Sequence, residues 1–88
     1  MALYNIEWKT SAKKELRKIE KKQIKKIIEA VESLASNPHP PNHKKILGTD
    51  YNFRIRVGNY RIIYYLENDK LLIEIIRVRH RKDAYTTP

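Results

Sequence analysis

In the stretch RVGNYR, a two-residue turn at Gly58-Asn59 pairs Val57 with Tyr60 and sets Arg56 directly opposite Arg61. Like charges facing each other across two strands weaken a sheet. A phosphate lying between the two guanidiniums would turn that repulsion into a bidentate clamp. Arg54 falls on the same face, two residues before Arg56, with Glu74 as the acid that offsets some of the charge. Arginines also solvate the open faces of strands, where their stems cover apolar neighbours such as Ile63. The run RVRHRKDAY then adds Arg77, Arg79, His80, Arg81, Lys82 and Tyr85 at the end of the sheet. His80 supplies an imidazole, the side chain suited to carrying a proton near neutral pH. Tyr85 has the ring needed to stack on an unpaired base.

The charge balance favours a polyanionic partner. The 88 residues carry 19 Lys and Arg against 10 Asp and Glu, a formal charge of +9. The excess is shared by both halves of the chain, so no basic tail accounts for it. Lysine dominates the first half and arginine, the better bidentate ligand for phosphate, the second. With no cysteine, disulfides, thiolate nucleophiles and Cys-based zinc sites are excluded. His39 and His43 stand in HPPNH, which cannot be helical, and no nearby carboxylate or thiolate completes a metal site. They are expected to be loop residues, and neither metal nor cofactor is expected. Apolar runs are too short to span a bilayer. The early residues lack a signal-peptide core, so a cytoplasmic location is the expectation.

The elements that must position these groups follow from patterning. The length suits one domain, residues 1–88, with a modest core. ALYNIEW alternates as a short strand, with Thr10 or Ser11 available to cap a following helix. Ala12, Leu16 and Ile19 share one helical phase, while Ile24, Ile27, Ile28, Val31 and Leu34 centre about 90° away. A break near Glu20–Lys22 resolves the mismatch and predicts a helical hairpin. The prolines of NPHPPNH and Gly48 mark a loop.

Three strands are expected after that loop: Tyr51–Val57, Tyr60–Leu66 and Leu71–Val78. A second two-residue turn at Asn68-Asp69 would pair Leu66 with Leu71, Tyr64 with Ile73 and Ile62 with Ile75. Phe53, Ile55, Val57, Ile62, Tyr64, Leu66, Leu71, Ile73 and Ile75 then form the face that needs the helices. The expected fold is α+β: an N-terminal strand, a helical hairpin, and a three-stranded antiparallel meander with the helices on one sheet face. The lysines of KKELRKIEKKQIKKIIEA form the solvated face of those helices, where contact with RNA phosphates would add salt-dependent affinity.

The segment FRIRVGNYRIIYYLENDKLLIEIIRVRHRKDAY resembles the C-terminal half of the RelE/ParE superfamily of toxins from type II toxin–antitoxin modules. A strand ending in basic residues leads there to a G-x-Y-R-hydrophobic-hydrophobic-Y hairpin and then to an H-R-x-x-x-Y-like tail. The order of elements also suits that family, so the likeness spans nearly the whole chain. It implies a metal-independent, ribosome-dependent mRNA endoribonuclease cutting A-site codons by attack of the 2′-hydroxyl. By position, Arg61 would stabilise charge on the phosphate, Arg81 or His80 would protonate the leaving oxygen, and Tyr85 would orient the nucleotide. Arg54, Arg56, Arg79, Lys82, Lys44 and Lys45 would hold the RNA. Some relatives carry lysine where this chain has Arg54 and Arg56, and arginine is a poor proton acceptor. That shifts proton transfer toward His80, then Tyr85. The implied partners are a cognate acidic antitoxin, in a hetero-oligomer, and the ribosome with its mRNA, with no membrane. The alternatives are a ParE-like DNA gyrase inhibitor and a catalytically inactive nucleic-acid-binding relative.

Overall fold

The helical region divides because its apolar phase divides. In the computed structural model, which describes residues 3–46, 48 and 52–81, helix α1 spans Thr10–Arg17 and helix α2 spans Lys21–Ser33. The break falls at Lys18–Glu20, slightly earlier than the pattern predicts. Each helix turns its own stripe inward: Ala12 from α1, and Ile27 and Val31 from α2, are buried, with Leu34 just beyond. Neither Thr10 nor Ser11 caps α1, because Lys9 occupies the N-cap. Ser11 instead donates its hydroxyl to the Ile76 carbonyl at 3.1 Å.

The strands are β1 (Asn5–Trp8), β2 (Lys44–Lys45), β3 (Asn52–Val57), β4 (Tyr60–Glu67) and β5 (Leu72–His80). They form one five-stranded sheet in the order β1-β5-β4-β3-β2, with β1 parallel to β5 and the other neighbours antiparallel. The expected α+β architecture is therefore present, with both helices on one face of the sheet. The meander gains a strand, since Lys44 and Lys45, expected in the loop, pair with Arg54 and Phe53. Tyr51, the expected start of the next strand, lies outside the described residues.

The first hairpin has the predicted register, Arg56 opposite Arg61 and Ile55 opposite Ile62. Gly58 takes φ +60°, the left-handed backbone that a tight turn of this kind requires. The second hairpin is looser than predicted. Its turn covers Asn68–Leu71, Leu71 itself adopts φ 50°, and its N–H bonds back to the Asn68 carbonyl. Leu66 consequently pairs with Ile73 and Glu67 with Leu72, and Leu71 is exposed rather than in the core.

A bulge between Ile63 and Tyr64 then leaves Ile76 as an extra residue on β5. Beyond it Ile63 faces Arg77, Ile62 faces Val78 and Arg61 faces Arg79. The strand runs on to His80, so Arg77, Arg79 and His80 belong to the sheet and do not follow it.

β1 covers β5 only from Leu72 to Ile75, and α1 takes over where it stops. Ser11 satisfies the Ile76 carbonyl, and the Glu15 carboxylate accepts the Val78 N–H at 3.0 Å. The same carboxylate lies 3.7 Å from Arg77 and 3.5 Å from Arg79. Glu15→Ala is expected to lower stability by about 1–3 kcal/mol by stranding a part-buried N–H. Glu15→Gln keeps an acceptor oxygen and should lose only the ion-pair contribution, about 0.2–1 kcal/mol. Urea unfolding of the two variants measures the difference.

Tyr64 closes the core at the other end. It is fully buried, stacks on Phe53, and donates its hydroxyl to the Pro38 carbonyl at 2.7 Å. Burial pushes its pKa well above the ordinary tyrosine range. Once pH passes about 10 the unfolded chain releases this proton and the folded chain does not. Stability should therefore fall as pH climbs above that point. In Tyr64→Phe that part of the slope should vanish, at a cost of about 1–3 kcal/mol near neutrality for the unpaired Pro38 carbonyl. Thermal melts of both proteins between neutral and alkaline pH test this.

Candidate nucleic-acid interface

Alternation along β3 and β4 sends Ile55, Ile62 and Tyr64 toward the helices and Arg54, Arg56 and Arg61 to the other side. On that uncovered face Arg54, Arg56 and Arg61 line a cavity of about 220 Å³ together with Lys44 and Asn42. The β2–β3 pairing supplies the lysine, because Lys44 stands opposite Arg54. Asn42 is fixed by its side-chain amide, which donates to the Arg56 carbonyl at 3.0 Å.

Within this group Arg61 is the most enclosed, only 6% exposed although it lies on the face away from the helices. Its stem sits in the middle of a row, between Arg56 on β3 and Arg79 on β5. Neighbouring strands are about 4.8 Å apart, so three guanidinium stems occupy roughly 10 Å of sheet. One terminal nitrogen of Arg61 donates to the Tyr60 carbonyl at 3.3 Å. Glu15 offsets the charge of Arg79 at the outer end of the row. Among the described residues the cavity wall holds cationic and amide groups and no carboxylate, a donor set suited to an oxyanion.

The other candidates are distributed differently. His80 pairs with Tyr60 and meets its ring edge-on, with centroids 5.3 Å apart. That places it on the helix side, in a separate cavity of about 510 Å³ with Glu15, Lys18, Ile19 and Val78. Arg61 and His80 thus extend from opposite faces of the sheet. Arg81 is exposed at the end of β5, its N–H bonded to the Asn59 carbonyl beside the first hairpin. Lys45 pairs with Phe53 and points to the opposite face from Lys44. Lys82 and Tyr85 lie outside the described residues. Asn42 escaped the sequence reading, since only the β2 pairing brings its loop to the arginines.

A small basic α+β domain with a cation-lined hollow suited to an oxyanion on the bare side of its sheet is the class this geometry defines. Residues 6–85 match the family model described as the ParE toxin of the type II toxin–antitoxin system parDE. The chain is 31% identical to the toxin RelE1 of Methanocaldococcus jannaschii, over 97% of this chain and 98% of that one. Its fold is similar to a chain in the toxin–antitoxin complex RelBE2 of Mycobacterium tuberculosis, with a TM-score of 0.81, 25% identity, and 92% and 94% of the two chains covered. It is also similar to a chain in the RelB–RelE complex of Methanococcus jannaschii, with a TM-score of 0.76 and 30% identity over 93% and 99% of the two chains. The chain belongs to the RelE/ParE superfamily of toxins from type II toxin–antitoxin systems. No described helix is long and apolar enough to cross a membrane.

Proposed function

We propose that the protein is a ribosome-dependent mRNA endoribonuclease of the RelE kind. The 2′-hydroxyl loses its proton to water as its oxygen attacks the adjacent phosphorus, the bond to the 5′-oxygen breaks with that oxygen taking up a proton, and a 2′,3′-cyclic phosphate and a 5′-hydroxyl result. The observation that supports this most is the enclosed Arg61 flanked by Arg56, Arg54 and Lys44 in one hollow on the uncovered face. A phosphodiester seated there meets fixed positive charge where oxygen charge grows, with little reorganisation left to do. Arg54, Arg56 and Lys44 hold the backbone, Arg79 extends the row, and Arg61 stabilises the developing charge.

Arg81 at the end of β5 stabilises the charge on the leaving 5′-oxygen, which takes its proton from water, and Tyr85 orients the nucleotide. His80, whose ring meets Tyr60 on the helix side, is given no step in this reading. Two solved relatives are chains of toxin–antitoxin complexes, which supports an acidic antitoxin as this protein's partner, neutralising the same face. Protein added to a translating extract, followed by mapping of mRNA 5′ ends, tests the proposal. Cuts within A-site codons are the expected result. Intact mRNA accompanied by arrested replication would replace this function with gyrase inhibition.

A further inference from the structure

The proline-rich segment before β2 holds two histidines in a geometry with a chemical use of its own. His39 Nδ1 and His43 Nε2 lie 3.3 Å apart. Both rings pack on Phe53, with centroids 5.3 Å and 5.5 Å away, so the pair has an apolar backing. His43 Nδ1 is 2.6 Å from the Pro40 carbonyl. A carbonyl only accepts, so this nitrogen carries a proton, and in the neutral ring Nε2 offers its lone pair toward His39. The His39 backbone N–H is tied to the Asn37 side chain at 3.2 Å, which fixes the start of the segment.

Two imidazole nitrogens bound to one tetrahedral zinc ion at about 2.0–2.1 Å stand about 3.3–3.4 Å from each other. The hydrogen-bonded pair already stands at that separation. A ligating histidine ordinarily gives its other N–H to a carbonyl or carboxylate, as His43 gives its own to Pro40. We propose that His39 and His43 form a two-histidine site for a divalent zinc-class cation, with water completing the coordination. On binding, the exposed His39 ring turns, moves its proton from Nδ1 to Nε2, and directs the freed lone pair at the metal. The imidazoles are neutral ligands, so the site adds two charges beside Lys44 and Lys45 and is of moderate strength. Its effect is mechanical, because the same segment carries Asn42 and Lys44 into the arginine hollow. A bound ion would hold that wall in place.

Calorimetric titration of tag-free protein with Zn²⁺ tests the site. One ion per chain is expected, with affinity reduced roughly tenfold or more in both His39→Gln and His43→Gln and unchanged in His80→Gln. No uptake by the wild type, or uptake that survives both substitutions, overturns the proposal. A readout that needs no variant is the imidazole ¹⁵N spectrum of the wild-type protein. Addition of Zn²⁺ should move His39 Nδ1 and His43 Nε2 and leave His80 in place. Movement of His80 alone would equally refute the site.

Discussion

Arg61→Ala should reduce cleavage of ribosome-bound mRNA by about 10²–10³-fold, the usual loss when one fixed donor to a developing oxyanion is removed. Arg61→Lys should recover little of it. A lysine at this point in the row offers a point charge, whereas the enclosed guanidinium presents a planar fork. The informative companion measurement is stability. Arg61 faces Arg56 and Arg79 across adjacent strands, and like charges so placed cost about 0.2–1 kcal/mol per pair. Arg61→Met, which keeps the stem, should therefore melt no lower than the wild type while losing activity. Full cleavage by the methionine variant would remove Arg61 from the mechanism. Lost cleavage with an unchanged melt would assign the loss to chemistry and not to folding.

Ile27→Ala should have the largest effect on stability. Ile27 is fully buried on α2 within the cluster that joins both helices to Ile55, Ile62 and Tyr64. Truncating such a side chain forfeits its transfer free energy and leaves a cavity, about 2–5 kcal/mol in all. For a chain of this size each kilocalorie corresponds to roughly 4–8 °C in melting temperature. A drop of well over 8 °C in a calorimetric scan is the expected result. By contrast, Ile28→Ala one residue on, at a half-buried position, should cost clearly less.

The first hairpin was legible because one dipeptide determines it. Gly58-Asn59 admits the left-handed turn, and once the turn is set the pairing of Arg56 with Arg61 follows by counting. The second hairpin hid its register because Leu71, a residue that rarely adopts positive φ, closes the turn. The bulge at Ile63/Tyr64 carries no glycine to announce it. Yet it governs the site, since it turns Arg77 and Arg79 to the face of Arg61 and leaves His80 on the other. The helical break was visible in the drift of the apolar stripe from Leu16 to Ile27. β2 was not visible, for two lysines after a run of prolines carry no strand pattern, and their pairing is decided by β3. The contact of His39 with His43 depends on how the prolines fold the segment onto Phe53, which spacing alone does not encode.

The way α1 seals the last third of β5 bears on how the protein behaves in a crowded cell. An open strand is a template for another chain, and sheets with long bare rims polymerise. Here the part of β5 left bare beyond β1 is covered by Ser11 and Glu15, which occupy backbone groups that a foreign strand would need. The opposite rim is a strand of two lysines, too short and too strongly charged to seed a fibril. Strand addition is thereby hindered along the last third of β5 and at β2.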